Sequence, residues 1–322
     1  MELQHSATNL QTKSQPSSKA NSLWMRNKMK RNLVLYLFLA PAAVYYILFH
    51  YAPMYGTLIA FQDYNPFRGM MSSPWVGLKH FNAFFDSIYF YRLIRNTFLI
   101  GAYSILFGFT IPIIFALLLH EVKHTQFRTI IQSISYLPHF ISTVVVAGLI
   151  VTFTSPSTGF INGILDFLGA QKIDFLRETG WFRTIYVSSG VWQNLGWSSI
   201  IYFAALTSIS PSLYEAADMD GANRWQKVWH ISLPGIKPTI ITVLLLDMGR
   251  VMDVGFEKVF LLYNSTTYET ADVLSTYVYR SGLVQQQYSF ASAVGLFNSV
   301  LTFIIIILFN KLARRLSGYS LW

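Results

Sequence analysis

Apolar residues run almost unbroken through six stretches of this chain, Leu33–Ile59, Leu93–Leu119, Ile130–Phe153, Ile185–Ser208, Pro238–Leu262 and Ser292–Phe309. Crossing about 30 Å of hydrocarbon takes a helix of about 20 such residues, and each stretch is near or beyond that length. Inside lipid a backbone amide must find its partner within its own segment, so helices are the default, and the alternation of a membrane β-barrel is absent. The pattern predicts an all-α membrane protein with six transmembrane helices. Pro41, Pro53 and Pro112 lie in or near these spans and predict kinks. Before them, residues 1–31 are rich in Ser, Gln, Asn and Lys and carry too few aliphatic side chains to bury, which predicts a disordered tail. That tail is too long and polar for the start of a cleaved signal peptide. The expected organisation is a basic tail over 1–31, a membrane domain over 32–311 and a short C-terminal tail over 312–322.

Composition agrees with a lipid solvent. Of 322 residues, 53% are hydrophobic and only 12% charged, about half the charged share of a soluble domain. The chain has no cysteine, which excludes disulfides, thiolate metal sites and cysteine nucleophiles. A net charge of +9 raises the possibility of nucleic acid, but the positions of Lys and Arg argue for a membrane instead. If the N-terminus is cytoplasmic, Arg26, Lys28, Lys30 and Arg31 gather inside, joined by Lys123, Arg128, Arg224, Lys227, Lys237, Lys311, Arg314 and Arg315. The opposite side holds fewer, so both termini are expected in the cytoplasm.

The connection between the fourth and fifth spans, residues 209–237, is the most informative segment. Ser212 with Glu215 three residues on reads as a capping box opening a short helix. Leu213, Ala216 and Ala217 give that helix a small-residue patch, and Gly221 can end it in a left-handed turn. Trp225, Val228, Trp229 and Ile231 predict a second amphipathic stretch stopped by Pro234. The result is a helix–glycine–helix elbow on the cytoplasmic surface.

Glu215, Ala216, Ala217, Gly221, Ile231, Leu233 and Pro234 resemble in type and spacing the EAA loop of binding-protein-dependent ABC importer permeases. The run from Tyr136 through Ser142, that from Tyr268 through Arg280 and the ending from Leu316 to Trp322 are similar to the sugar-permease branch handling complex oligosaccharides. The resemblance implies a type I ABC importer permease fold in a bacterial inner membrane and an oligosaccharide cargo. It further implies a second homologous permease, two copies of a separate ABC ATPase and an extracytoplasmic solute-binding protein. The elbow is then the coupling helix, with Glu215 facing a basic residue of the ATPase. The chain itself is expected to be non-catalytic and to hold no cofactor or metal. It has no G-x-x-x-x-G-K-[ST] phosphate loop, so ATP and Mg belong to the partner.

Asp247, Arg250, Asp253 and Glu257 recur at spacings of three, three and four within the fifth span. Charges at that depth are expensive and normally face a protein interior or water. Two readings stand: a polar wall of the translocation path, in which Arg250 could meet a sugar carboxylate, and an ion cluster that only holds the helix in place. Glu257 and Lys258 are weaker candidates near the outer boundary. Trp192, Gln193, Asn194, Trp197 and Tyr202 in the fourth span could stack on and hydrogen-bond a sugar, though aromatic belts and interhelical hydrogen bonds explain such residues at least as well.

One motif points elsewhere. His120-Glu121-Val122-Lys123-His124 fits H-E-x-x-H, which on a continuous helix presents two zinc ligands and a general base. A membrane-embedded metalloprotease is therefore the rival enzyme class, although no third ligand stands out. An ion-coupled secondary transporter would suit the carboxylates of the fifth span but leaves the elbow unexplained.

Overall fold

The computed structural model of the chain describes residues 32–317. The expected N-terminal tail and the last five residues lie outside the described residues. The chain divides into a unit ending at Thr57 and a larger one from Leu58 onward. Among the described residues the fold is all-helical, apart from a lone bridge between Gln62 and Trp75.

The first unit is the helix α1 (Leu33–Tyr46), which continues through a π turn at Ile47–Tyr51. A π turn also precedes Pro234 below. Proline cannot donate an amide, and its ring displaces the carbonyl four residues earlier. A widened turn just before it keeps the helix going.

The larger unit begins with a loop tied down by charge. Lys79 Nζ donates to Asp63 Oδ2 at 2.7 Å, and His80 lies 3.1 Å from the other oxygen. The hydrogen bond from Lys79, opposed by partial burial and aided by the Lys79 and His80 charges, holds the Asp63 carboxyl below the usual carboxylate range. After α2 (Lys79–Phe85), α3 (Phe90–Glu121) runs for 32 residues without interruption at Pro112. Then come α4 (Thr125–Tyr136), α5 (Thr143–Thr154) and α6 (Phe160–Phe167). Next are α7 (Phe182–Thr207), α8 (Pro211–Met219) and α9 (Arg224–Met248), the last containing the π turn Val228–Ser232. The chain ends in α10 (Phe256–Leu262), α11 (Leu274–Tyr279) and α12 (Tyr288–Ser317).

Four helical runs are long and apolar enough to cross a membrane: Leu33–Phe61, Phe90–Glu121, Arg224–Met248 and Tyr288–Arg315. Two expected spans are not single straight helices. The third bends by 99° between α4 with its 3₁₀ extension and α5. Pro138 sits in that 3₁₀ turn, and the Ser142 side chain caps α5 by accepting from Val145 N. The fifth stops at Met248, becomes irregular and resumes at Phe256. The fourth, α7, is long enough but carries Ser, Gln and Asn that lower its hydropathy.

α3 and α7 form the most extensive helix pair. Ile113 and Ala116 of α3, Tyr202 and Leu206 of α7 and Ile236 of α9 make one core cluster. A second joins Phe84, Leu93, Leu274 and Val294 to Val251 and Met252 of the irregular segment. That segment threads so close to α3 that a side chain on Gly101 would overlap the Val251 carbonyl.

A buried polar network ties α3 to the segment before α11. Asp272 is fully buried and accepts from Arg280 Nη2 at 2.7 Å, Thr276 Oγ1 at 2.9 Å and Arg92 Nη2 at 3.4 Å. Asn96, also fully buried, donates to the carbonyls of Glu269 and Asp272, each at 3.0 Å. Thr97 Oγ1 accepts from Leu274 N at 3.0 Å. Burial works against the Arg280 charge, but the hydrogen bond and charge of Asp272 outweigh it and raise the guanidinium above its ordinary value.

Removing the buried Asp272 carboxylate leaves two half-buried guanidiniums, Arg92 and Arg280, without their shared partner, a loss of about 3 kcal/mol. Asp272→Ala is expected to lower the thermal midpoint of the purified protein in detergent sharply, and Thr276→Val by only about 1 kcal/mol. Gly101→Ala should destabilise by about 1–3 kcal/mol in the same assay. Gly108→Ala, where a Cβ meets open space, should leave the midpoint unchanged.

Candidate functional site

The break in the expected fifth span creates the site. Irregular backbone at membrane depth survives only where protein covers it or a watery cavity receives its polar groups. The stretch 249–255 does both. Val251, Met252 and Val254 point into the core, while Asp247, Arg250 and Asp253 line a cavity of about 310 Å³. Arg250 and Asp253 are exposed and Asp247 is half-buried. Short turns set their spacing: Arg250 N donates to the Asp247 carbonyl at 2.8 Å, and Asp253 N to the Arg250 carbonyl at 2.9 Å. Gly249 and Gly255 flank the break, the latter within 3.4 Å of the Tyr186 hydroxyl measured from an ideal Cβ.

Asp247, Arg250, Asp253 and Glu257 therefore do not form a stripe on one helix, as the spacing predicted. Helix spacing fails because the helix ends at Met248. Glu257 is exposed and absent from the cavity wall. No ion pair within 4 Å joins Asp247, Arg250 and Asp253 among the described residues, so the ion-cluster reading loses its geometry. The wall reading keeps its geometry, since all three charges converge on one space.

Lys258, set aside in the sequence as a boundary residue, belongs to the wall. It is 8% exposed, donates to the Tyr186 carbonyl at 2.9 Å and lies 4.8 Å from the centre of that ring. The signal that could have found it is the pair of glycines bracketing charged residues in an apolar run, a mark of a broken helix around a ligand path. The cavity thus offers two carboxylates and two cations, a balanced set of acceptors and donors for hydroxyls and for one carboxylate.

Of the five candidates on α7, Tyr202 is buried in the core and two line the cavity, Gln193 and, next to it, Asn194. Its Nδ2 donates to the Gly190 carbonyl at 3.0 Å, and its Oδ1 lies 3.0 Å from His139 Nδ1. Gln193, beside it in the wall, donates to the Ile141 carbonyl at 2.9 Å. Trp197 instead stacks on His139, with ring centres 4.5 Å apart and planes within 3°. Trp192 faces an apolar groove with Val146, Leu149 and Phe153. The bend in the expected third span is thus pinned to α7, and Trp197 serves that packing rather than the cavity.

The elbow is present, with two changes. α8 starts at Pro211, whose fixed φ suits the first helical position, so Ser210 is the N-cap and the predicted Ser212–Glu215 capping box does not form. A full capping box occurs instead between Asn223 and Gln226, with bonds of 2.9 and 2.7 Å. Gly221 has φ +74°, and Ala222 N reaches the Ala217 carbonyl at 2.9 Å, closing α8 in a Schellman turn. Nor does Pro234 stop the second helix: α9 runs through it, because the π turn Val228–Ser232 precedes it. Tyr214 Oη lies 3.0 Å from Ser232 Oγ, and Lys227 pairs with Asp218 at 2.7 Å, bracing α8 against α9. Glu215, Ala216 and Leu213 remain exposed, as does Pro234. Ala217, Ile231 and Leu233 are half-buried.

The H-E-x-x-H segment does not form a metal site. α3 ends at Glu121, Val122 is extended, and His124 caps α4 by accepting from Phe127 N at 3.2 Å. The two imidazoles therefore do not share a helix face. No group of three or more His, Cys, Asp or Glu gathers around a metal-sized space among the described residues. The metalloprotease reading is withdrawn.

Comparison with known proteins agrees with this geometry. The family model described as "Binding-protein-dependent transport system inner membrane component" matches residues 108–318. The polygalacturonan/rhamnogalacturonan transport system permease protein YteP of Bacillus subtilis (strain 168) is 43% identical over 300 residues, covering 91% of this chain and 94% of that protein. The arabinooligosaccharides transport system permease protein AraP of the same organism is 29% identical over 309 residues, 94% of each chain. Among solved structures, a bacterial ABC transporter involved in the import of the acidic polysaccharide alginate matches with a TM-score of 0.85 and 46% identity. The match covers 92% of this chain and 99% of that one. A second, the alginate transporter in complex with an alginate pentasaccharide-bound periplasmic protein, matches with a TM-score of 0.85 and 45% identity. Since the matched region takes in the elbow and most of the cavity wall, and two relatives align along nearly the whole chain, the protein belongs to the binding-protein-dependent transport system inner membrane components, as a permease of the sugar and oligosaccharide ABC transporter type.

Proposed function

We propose that this chain forms one half of the translocation path of an ATP-driven importer for an acidic oligosaccharide, and that its elbow receives the motion of a separate ATPase. The observation that carries the reading is the convergence of Asp247, Arg250, Asp253 and Lys258 on one cavity at the break in the fifth span. Hydroxyls of a sugar can donate to the two carboxylates, and a uronate carboxylate can take a bidentate pair of bonds from Arg250. Relatives named for polygalacturonan and alginate transport support a carboxylate-bearing cargo.

In this reading the chain crosses a bacterial inner membrane six times, with α4 and α5 as one bent span and both termini in the cytoplasm. A second homologous permease supplies the opposite wall, and an extracytoplasmic solute-binding protein delivers the cargo. Two copies of an ABC ATPase bind ATP and Mg, while this chain performs no chemistry of its own. Glu215, with the small side chains of Ala216 and Ala217, would seat α8 in a groove of the ATPase. The continuity of α9 matters here. A push on α8 passes through Gly221 to Ile231, Leu233 and Pro234, then along a single helix of 25 residues to Asp247 at the cavity.

Purification of the tagged chain in gentle detergent is expected to bring down a second permease and an ATPase, identified by mass spectrometry. Recovery of the chain alone would defeat the importer assembly. Gly221→Val forces a β-branched residue into a left-handed conformation, at about 1–3 kcal/mol. In a correctly inserted complex it should reduce cargo-stimulated ATP hydrolysis and uptake together. If both survive, the elbow is not the coupling element. Arg250→Gln should raise the KM for an acidic oligosaccharide about tenfold, the loss of one charge-assisted contact, while basal ATP hydrolysis stays unchanged.

A further inference from the structure

Four arginines gather where α3 meets the start of α7 and the segment 268–280. Three have carboxylates within reach: Arg95 pairs with Glu269 at 2.7 Å, and Arg280 and Arg92 share Asp272. Arg183 is different. Its Nη2 donates to Asn96 Oδ1 at 2.8 Å, and that neutral amide is itself locked by two backbone carbonyls. Its Nε is shielded from solvent and has no hydrogen-bond partner, a condition it shares with Arg92 and Arg95. Among the described residues no carboxylate oxygen lies within 4 Å of it. The half-buried guanidinium is thus held by a neutral group, with the Glu269 carboxylate acting on it only from beyond 4 Å and the Arg95 charge opposing it, a balance that favours the arrival of an anion.

Arg183 borders a groove of about 620 Å³ between α3 and α7, within the range of small-molecule sites. Its other walls carry two kinds of group. Thr184 and Ser188 present exposed hydroxyls, and Tyr103 and Phe107 present aromatic rings. Val187 and Val191 line both this groove and the charged cavity, so the two spaces adjoin across α7. The ligand these walls suit carries a carboxylate, hydroxyls and an apolar ring face. That is a uronate residue.

We propose that Arg183 is a carboxylate-binding subsite of the translocation path, taking one uronate of an acidic oligosaccharide alongside the cavity where Arg250 takes another. The assignment rests on the acidic-cargo reading above and adds a second recognition point to it. A uronate carboxylate in the groove takes charge-assisted hydrogen bonds from the free Nη–H groups, the shielded Nε being out of its reach, and Asn96 on Nη2 fixes the plane of the guanidinium.

The chain has no cysteine, so Ser188→Cys places a unique thiol of this subunit in the groove. In the assembled transporter, oligogalacturonate is expected to slow thiol labelling at this position, and the carboxyl-reduced oligomer of the same length is expected to protect far less. Adding Arg183→Gln should raise the half-protecting concentration of oligogalacturonate about tenfold. Should that variant fail to assemble because Asn96 loses its partner, the comparison of acidic with reduced oligomer on Arg183 itself still decides. Equal protection by both oligomers, protection untouched by Arg183→Gln, or protection by anionic lipid vesicles alone would each overturn the subsite. Uptake separates the two readings. If the transporter carrying Ser188→Cys imports oligogalacturonate but shows no protection, only the subsite fails. If it imports neutral oligosaccharides alone, the acidic-cargo reading fails with it.

Discussion

The carboxylate of Asp272 lies out of reach of solvent and must be held by groups that are themselves anchored. Arg280, Arg92 and Thr276 do this from three directions, and Asn96 binds the carbonyl of the same residue from α3. A buried ionic centre stabilises little by itself, yet it is intolerant of misplacement, because any slip leaves a charge without a partner. That intolerance sets the register between α3 and the segment before α11. Much else follows from the register, since α3 also supplies Gly101 to the irregular segment and one wall of the cavity.

Lipid imposes the second constraint. A chain crossing hydrocarbon can abandon helical hydrogen bonding only where protein or water takes over. This fold leaves the helix twice near the path, at 137–142 and at 249–255. At the first, His139, Gln193, Asn194 and Trp197 clasp the bend to α7. At the second, Val251, Met252 and Val254 bury one side of the chain while charged residues face the cavity on the other. Both breaks press on α7, the helix whose own polar residues lower its hydropathy. One helix therefore touches the bend, the broken span and both candidate recognition points, Arg250 and Arg183.

Much of this was legible along the chain. Long apolar runs demanded helices, Gly221 announced its left-handed turn, and residues 209–237 carried the spacing of an elbow. Local rules misplaced details where two signals competed. Pro211 at the first helical position outranked Ser212 as the start of α8, and the Asn223–Gln226 box was a stronger cap than the one expected. Pro234 promised a stop, but a widened π turn before it let α9 continue. His120 and His124 matched a zinc motif only on the assumption of an unbroken helix, and α3 ends between them.

Sequence alone determined the solvent of this protein, its helical class and the position of its elbow, because each depends on composition or on neighbours a few residues apart. Only the tertiary structure decided which charges meet. Arg183 and Asn96 are 87 residues apart, and Lys258 reaches Tyr186 across 72. Such pairs depend on how α3, α7 and the broken fifth span pack. No local pattern separates a lysine at a membrane boundary from one in a cavity wall, since the difference lies in the segment folded against it.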